Sequence, residues 1–576
     1  MTIVYCDWLN GNDTTGDGSA ALPYKTIQKA STGLTGGDEV RVAKSTDPAS
    51  LTGTISFTDG STTVTGSGTA FSTELASGDF IELTAGSWWE VLSIASDTSL
   101  TLYQMFSGTT TSGYTSRRMT ASAGITDTGA APTSTTLVQY VQSSGSSASN
   151  RLTISGGWDL STQTQTGTTT FRQTHSTLTN RWGYGLYVYR KSFLAISNLS
   201  FLRYNRGVYF TNSSNTNVAS FPNLISNANH GVLLNIANDT QLSVGNALAN
   251  GGNHGVQVAG GTRNTVRVDV ADCNGIGLDA ISGAHGCIFT VGRANRNGSY
   301  GVMLSSCGVN TVSTGPLYLN QNYGLYINSS PGTRASAGDI TMNIPQVGST
   351  YAVLVAASNL AEVTLGAVSG ATYSLGVSGC VVTVNNMSTS GGSYGVRCDS
   401  GGAVRLYNCS IGQSNKVFFD RPETRQTIHS TKHDGVLNND WVFFPAGYAN
   451  KQSAVTQSGS GYAWRLNPTT SYAGPLNPVS ISVAKVAVAA NRQVTVTAYV
   501  KKDHATNIGA LIRLRGKQIA GVAADVVATA ADNTNWQQLT LQFTPTEAGV
   551  VNIDFEAYYV ADASYAYIDS LEVSQA

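Results

Sequence analysis

Gly185-Leu186-Tyr187-Val188, Gly207-Val208-Tyr209-Phe210, Gly231-Val232-Leu233-Leu234 and Gly255-Val256-Gln257-Val258 are four instances of one short pattern. It continues from Gly277, Gly301 and Gly324, then from Ala352 and Ser374, and closes at Gly395. Successive starts lie 21–28 residues apart, about 23 on average. The second and fourth residues are apolar and the third varies, as in a strand with one buried face. The residue before each start is often aromatic or basic (Tyr184, Arg206, His230, His254, Tyr300, Tyr323), and Asn205, Asn229 and Asn253 stand one place earlier. Leucine-rich repeats share the period but not this consensus. Three columns in one register predict a parallel β-helix, each repeat one coil, with stacked coils burying a continuous apolar interior.

The rest of the 576-residue chain agrees with an all-β reading. Charged residues are 12% of the chain, about half the usual share of roughly 25%. Gly is frequent at 62, and 41% of residues are hydrophobic, enough for a core. A net charge of −1 offers no basic surface for general nucleic-acid binding. No apolar run approaches 18 residues, so no membrane insertion is expected. The start, MTIVYCDWLNGNDTTGD, lacks the basic and apolar regions of a signal peptide. Seven cysteines without a CxxC pair, and few histidines, predict buried thiols rather than a disulfide framework or zinc site. No cofactor or metal is expected.

Pro23, Thr26, Ile27, Gln28 and Ala30 predict a short helix over 24–31, followed by the strand Glu39–Ala43, covering the open end of the helix. With this cap and the coils, the chain resembles the pectate-lyase-like superfamily of right-handed β-helices, which includes many phage tailspikes. Residues 1–50 then form the cap and first coil, and 126–420 the parallel β-helix. Between them, 51–125 read as an inserted small β-barrel of five or so strands, similar to a module of phage tail proteins. Trp88 and Trp89 are expected to face opposite ways, one in and one out. Residues 421–440 read as a polar linker or an extended crossover. Residues 441–576 read as an antiparallel β-sandwich that resembles jelly-roll carbohydrate-binding modules, with Trp536 in its core.

The varying third position forms an outward column that includes Tyr187, Tyr209, Leu233, Gln257, Asp279, Met303 and Tyr326. It is more apolar than a solvated face. Three readings stand: packing between three parallel β-helices, a sugar groove, or coverage by the chain's own loops. Tyr187, Tyr209 and Tyr326 are the glycan-binding candidates here. Trp441, Tyr462, Trp464 and Tyr472 are the candidates in the sandwich. Asp269, Asp272 and Asp279 fall within one coil and are the catalytic candidates for glycoside hydrolysis. That chemistry wants carboxyl groups about 5–5.5 Å apart for retention or 6.5–9.5 Å for inversion. A lyase would instead place a base such as His230 or His254 beside Arg206, Arg267 or Arg293. The alternative is that these are ordinary polar surface and turn residues. The stretch Asp13–Asp17 resembles a loose Ca²⁺ loop, and a capping turn is the other reading.

The resemblance implies a tailed-phage virion protein of tailspike or receptor-binding type that engages bacterial surface polysaccharide. It also implies a homotrimer in contact with other phage virion proteins, made in host cytoplasm and located in the virion. Known tailspikes usually carry a particle-anchoring domain before the helix, so attachment here is expected through 51–125 or the outer face. Two alternatives stay open: a polysaccharide depolymerase, hydrolase or lyase, and a structural decoration or fibre protein.

Overall fold

The computed structural model describes residues 1–576 except 46–47, 85, 120–138, 174–182, 213–215, 252, 342–350, 370–371, 391–393, 400–402, 408, 412–414, 420–425, 428–441, 444–448, 453–462, 469–477, 489–490, 492, 515–525, 547–548, 562–563 and 576. The chain divides into two compact units, Met1–Val353 and Leu354–Ala576.

The first unit is a parallel β-solenoid. One sheet stacks Tyr184–Tyr189, Arg206–Thr211, His230–Asn235, His254–Ala259, Ile276–Ile281, Tyr300–Ser305 and Tyr323–Asn328 in chain order. Each repeat of the sequence is one of these strands, in the predicted register: Leu186 pairs with Val208, Val208 with Val232 and Val232 with Val256. A second parallel sheet begins at Ile3–Cys6, Glu39–Ala43 and Leu152–Asp159 and continues through Val218–Ile225, Gln241–Leu248, Thr265–Val270 and Ile288–Arg293. Leu186, Val188, Val256, Val258, Val266 and Val268 are fully buried between the sheets.

The glycine that starts the repeats from Gly185 to Gly301 has a steric cause. A Cβ on Gly255 would lie 2.6 Å from the carbonyl oxygen of Gly277 and 2.8 Å from Asn274 Nδ2. Real Cβ atoms do not approach that closely, so these two coils can stack at this spacing only with glycine at 255.

Two sets of corner residues turn the chain between sheets. Arg203, Ser226, Ala249, Cys273, Arg296 and Leu319 all adopt left-handed backbone, with φ from 52° to 67°. Such a conformation costs a non-glycine residue about 1–2 kcal/mol. The residues that follow offset it. Asn227, Asn250, Asn274, Asn297 and Asn320 form a buried ladder at one place per coil. Asn250 Nδ2 donates to Asn274 Oδ1 at 3.0 Å and to Leu224 O at 3.0 Å, and Asn297 Nδ2 donates to Asn320 Oδ1 at 2.9 Å. Backbone N–H groups at the corner are satisfied as well: Asn250 N donates to Asn274 Oδ1 and Asn274 N to Asn297 Oδ1, each at 2.9 Å. The asparagine column marked in the sequence is a second, outer ladder, in which Asn229 Nδ2 donates to Asn205 Oδ1 at 3.0 Å.

The cap helix is Ile27–Ala30, with Thr26 as its N-cap accepting from Lys29 N. Asp13 holds this turn: its carboxylate accepts from Lys25 N and from Thr26 N and Oγ1 at 2.7–3.0 Å. The Asp13–Asp17 stretch thus acts as a capping turn.

The insert holds eight strands in one antiparallel order, from Ala49–Ser50 to Arg117–Met119, more than the five or so expected. Its core includes Phe57, Phe71, Trp89 and Phe106. Trp88 does face the opposite way, yet it is not exposed. With Phe80 it packs on Leu202, Ile225 and Leu248 of the solenoid. Buried ion pairs fix the same junction: Arg203 to Glu90 at 3.3 Å and Arg172 to Asp79 at 3.4 Å, all four side chains at most 4% exposed.

The second unit opens with further coil strands, among them Tyr373–Ser378 paired in parallel with Tyr394–Asp399. Two antiparallel sheets follow, of six and five strands. Val494, Val496, Ala498 and Val500 alternate inward on Val494–Lys502 and are fully buried. Trp536 precedes Gln537–Phe543 and is half-buried rather than core, whereas Leu539, Leu541 and Phe543 of that strand are buried.

Candidate functional site

The outer face of the repeat sheet carries three side-chain columns, because the glycine of each repeat shifts the alternation by one. Tyr184, Tyr187 and Tyr189 therefore project together from a single strand. Tyr184 and Tyr187 stack at 5.2 Å and 18°, and Tyr187 and Tyr189 at 6.1 Å and 10°. On the next strand Tyr209 lies 5.4 Å from Tyr187. The Arg206 guanidinium sits over Tyr209 at 4.9 Å and over Tyr184 at 5.5 Å, and donates to the Tyr184 hydroxyl at 3.1 Å. Further along, Tyr300, Tyr323 and Tyr326 form a second stack with centroids 5.2–5.4 Å apart. Burial, followed by the neighbouring phenols, raises the Tyr187 hydroxyl above its ordinary value, and Tyr323 and Tyr326 shift the same way. All these tyrosines are half-buried, which leaves part of each ring open to a ligand.

Between the two stacks the face carries a polar cluster. His230 and His254 stack at 5.0 Å. His254 Nε2 lies 3.1 Å from Asp279 Oδ2, and Gln257 Nε2 donates to the same oxygen at 2.7 Å. Gln257 Oε1 lies 3.0 Å from His230 Nε2. Leu233, Gln257 and Asp279, expected to be an outward stripe, are instead buried, Asp279 to 1% exposure. Hydrogen bonds among Gln257, Asp279, His230 and His254 hold the two polar side chains against the sheet. Burial, then the charges of His254 and Arg206, lowers the His230 pKa to about 3.

The three catalytic-candidate aspartates do not share one surface. Asp279 belongs to the repeat sheet, as above. Asp269 lies on Thr265–Val270, is exposed, and pairs with Arg267 at 3.0 Å. Asp272 follows that strand at the corner and is fully buried. It accepts from Ser107 Oγ at 3.0 Å, Arg293 Nε at 2.9 Å and Asn295 N at 2.8 Å. Burial outweighs these partners and raises its pKa to about 6. With both oxygens engaged, Asp272 ties the insert to the solenoid and offers no oxygen to a substrate. Among the described residues, no group of three His, Cys, Asp or Glu side chains could hold a metal ion.

In the second unit, Trp464 lies on Ala463–Leu466, where it pairs with Ile568. Trp441, Tyr462 and Tyr472 lie outside the described residues.

Comparison with known proteins gives no matching family model and no matching curated protein. Solved structures do match. The Dettilon tailspike protein is 10% identical, covering 73% of this chain and 88% of its own at a TM-score of 0.35. The tailspike gp49 from Pseudomonas phage LKA1 is 10% identical, covering 91% and 88% at 0.24. A structure titled for CBM4 structure and function is 15% identical, covering 24% of this chain and 95% of its own at 0.18. The β-helix and the antiparallel sheets are established by the strand registers above.

Proposed function

We propose that the protein is a tailspike-type, receptor-binding component of a tailed phage, and that the aromatic face of its solenoid holds bacterial surface polysaccharide. The observation that supports this is the Tyr184–Tyr187–Tyr209 cluster with Arg206 laid over it. Aromatic rings offer flat apolar surface to the CH faces of a sugar, and a guanidinium supplies hydrogen bonds in a fixed fork. Rings on neighbouring coils repeat along the solenoid, a layout suited to a chain-like ligand. A homotrimer, contact with other virion proteins and a virion location belong to the same proposal. So does a sugar-binding role for Trp441, Tyr462, Trp464 and Tyr472.

Binding without cleavage is the better-supported form. Hydrolysis by a carboxyl pair needs two such groups. From Tyr184 to Asn328 the outer columns of the repeat sheet contain one carboxylate, Asp279, and it is buried. The test is incubation of the full chain with a panel of bacterial surface polysaccharides, reading retention and chain length together. Retention that falls at least tenfold in Tyr187→Ala and Tyr209→Ala, with chain length unchanged, is expected. Shortened chains would establish a depolymerase. Neither effect across a panel that includes the host's own polysaccharide would favour a purely structural virion role.

A further inference from the structure

A cleft of about 550 Å³ opens where the insert meets the solenoid, away from the repeat sheet. Its walls come from both bodies: Asp59, Ser107 and Thr109 from the insert, and Asp269, Arg293, Asn295, Arg296 and Tyr318 from the solenoid. The volume falls within the roughly 300–1,000 Å³ of small-molecule sites.

The walls are held rigid. Arg296 makes a two-pronged ion pair with Asp59, at 2.7 and 3.2 Å. Arg293 is fixed by Asp272 at 2.9 Å and by the Ser107 carbonyl at 3.3 Å. Asn295 Oδ1 accepts from Tyr318 N at 2.8 Å, which sets the amide. Several polar groups remain unspent once these bonds are counted. Asp269 uses Oδ1 for Arg267, leaving Oδ2. Asn295 Nδ2, Arg293 Nη1 and the Tyr318 hydroxyl carry no hydrogen bond among the described residues. The set therefore holds one acceptor, two donors and a phenol that does either, beside the flat ring of Tyr318.

Charge decides the ligand class. Arg296 is matched by Asp59, Arg293 by Asp272 and Arg267 by Asp269. No net field remains to draw an anion or a cation. We propose that this cleft is a second carbohydrate site that takes one or two residues of a neutral sugar and exists only with the insert docked. Vicinal hydroxyls bridge Asp269 and Asn295, and one ring face lies on Tyr318. The site is separate from the aromatic face and does not depend on that face binding glycan.

The experiment uses the full chain with maltose, lactose, cellobiose and glucuronic acid as probes, read by saturation-transfer difference NMR and titration. At least one neutral disaccharide should bind, and Asp269→Ala and Thr109→Trp should each weaken it at least tenfold. Asp269 and Thr109 are both exposed, so the fold is kept, which a melting curve checks. Tyr187→Ala should leave this binding unchanged. Binding of none of the neutral disaccharides, or of glucuronic acid alone, would overturn the proposal. So would binding that survives both cleft substitutions and disappears with Tyr187→Ala.

Discussion

Ser107 of the insert donates a 3.0 Å hydrogen bond to Asp272, a residue 165 positions later on the solenoid. Asp272→Asn keeps the shape but, whichever way the amide turns, sets its N–H against a donor, either Asn295 N or Arg293 Nε and Ser107 Oγ. The loss should be on the order of 2–3 kcal/mol, moderated by the solvent access Arg293 retains. Limited proteolysis should then cut the insert in the variant and spare it in the parent. Equal protease resistance in both would show that the apolar contacts of Phe80 and Trp88 suffice for docking.

Acidification should destabilise the repeat sheet through His230. Its pKa is about 3 in the folded chain against 6.5 for a free imidazole. Between those values the unfolded chain binds more protons, so stability falls as pH drops through that window. Asp272 acts oppositely: its pKa of about 6 lies above 3.8, so its contribution weakens as pH rises between those two values. His230→Gln should remove the histidine part. The melting temperature of this variant relative to the parent should therefore rise as pH falls from 7 to 4, and parallel pH dependences would count against the assignment.

The inner asparagine ladder should tolerate little. Asn274 Oδ1 accepts from Asn250 N and Nδ2, and its Nδ2 donates to Ala247 O at 2.8 Å. Asn274→Ala orphans buried partners on Asn250 and Ala247, each at about 1–3 kcal/mol. The expected loss is on the order of 3–5 kcal/mol in chemical denaturation, whereas Asn253→Ala on the exposed outer ladder should cost less than about 1 kcal/mol. Similar losses at both positions would refute the distinction between the ladders.

Thiol reagents should find almost nothing to modify. Cys6, Cys273, Cys287, Cys307, Cys380 and Cys409 are buried thiols outside any disulfide. Burial raises the thiols of Cys6, Cys287 and Cys380, and that of Cys307 to about 11. A native-state titration with a chromogenic disulfide should register at most one fast thiol, and reductant should not move the melting temperature. Several fast thiols would contradict the packing.

The coils were legible because one strand per repeat obeys a strict local rule, and the stacking partner is the same rule one period later. Gly255 illustrates it: the residue type is dictated by the next coil's carbonyl. The inner ladder is not legible in the repeat because Asn250 and Asn274 keep a fixed distance from the corner rather than from the glycine. Asp269, Asp272 and Asp279 looked like one group because they are close in sequence, yet a corner between strands sends them to three environments. The His254–Asp279 pair joins residues 25 apart, which a column-by-column reading keeps separate. The insert's docking rests on contacts such as Arg203–Glu90 that no local pattern announces.

The inner ladder also makes the solenoid modular in length. Each buried asparagine bonds to its counterpart 23 or 24 residues away, and most also bond to a backbone carbonyl of the preceding coil. Excising or duplicating one whole period would let the neighbours on either side close on each other, with every corner still satisfied. Deleting a single residue would misalign the amide, the glycine and the alternation of an entire coil. Such a molecule can grow or shrink across generations in steps of one strand spacing, about 4.8 Å, but not in smaller ones.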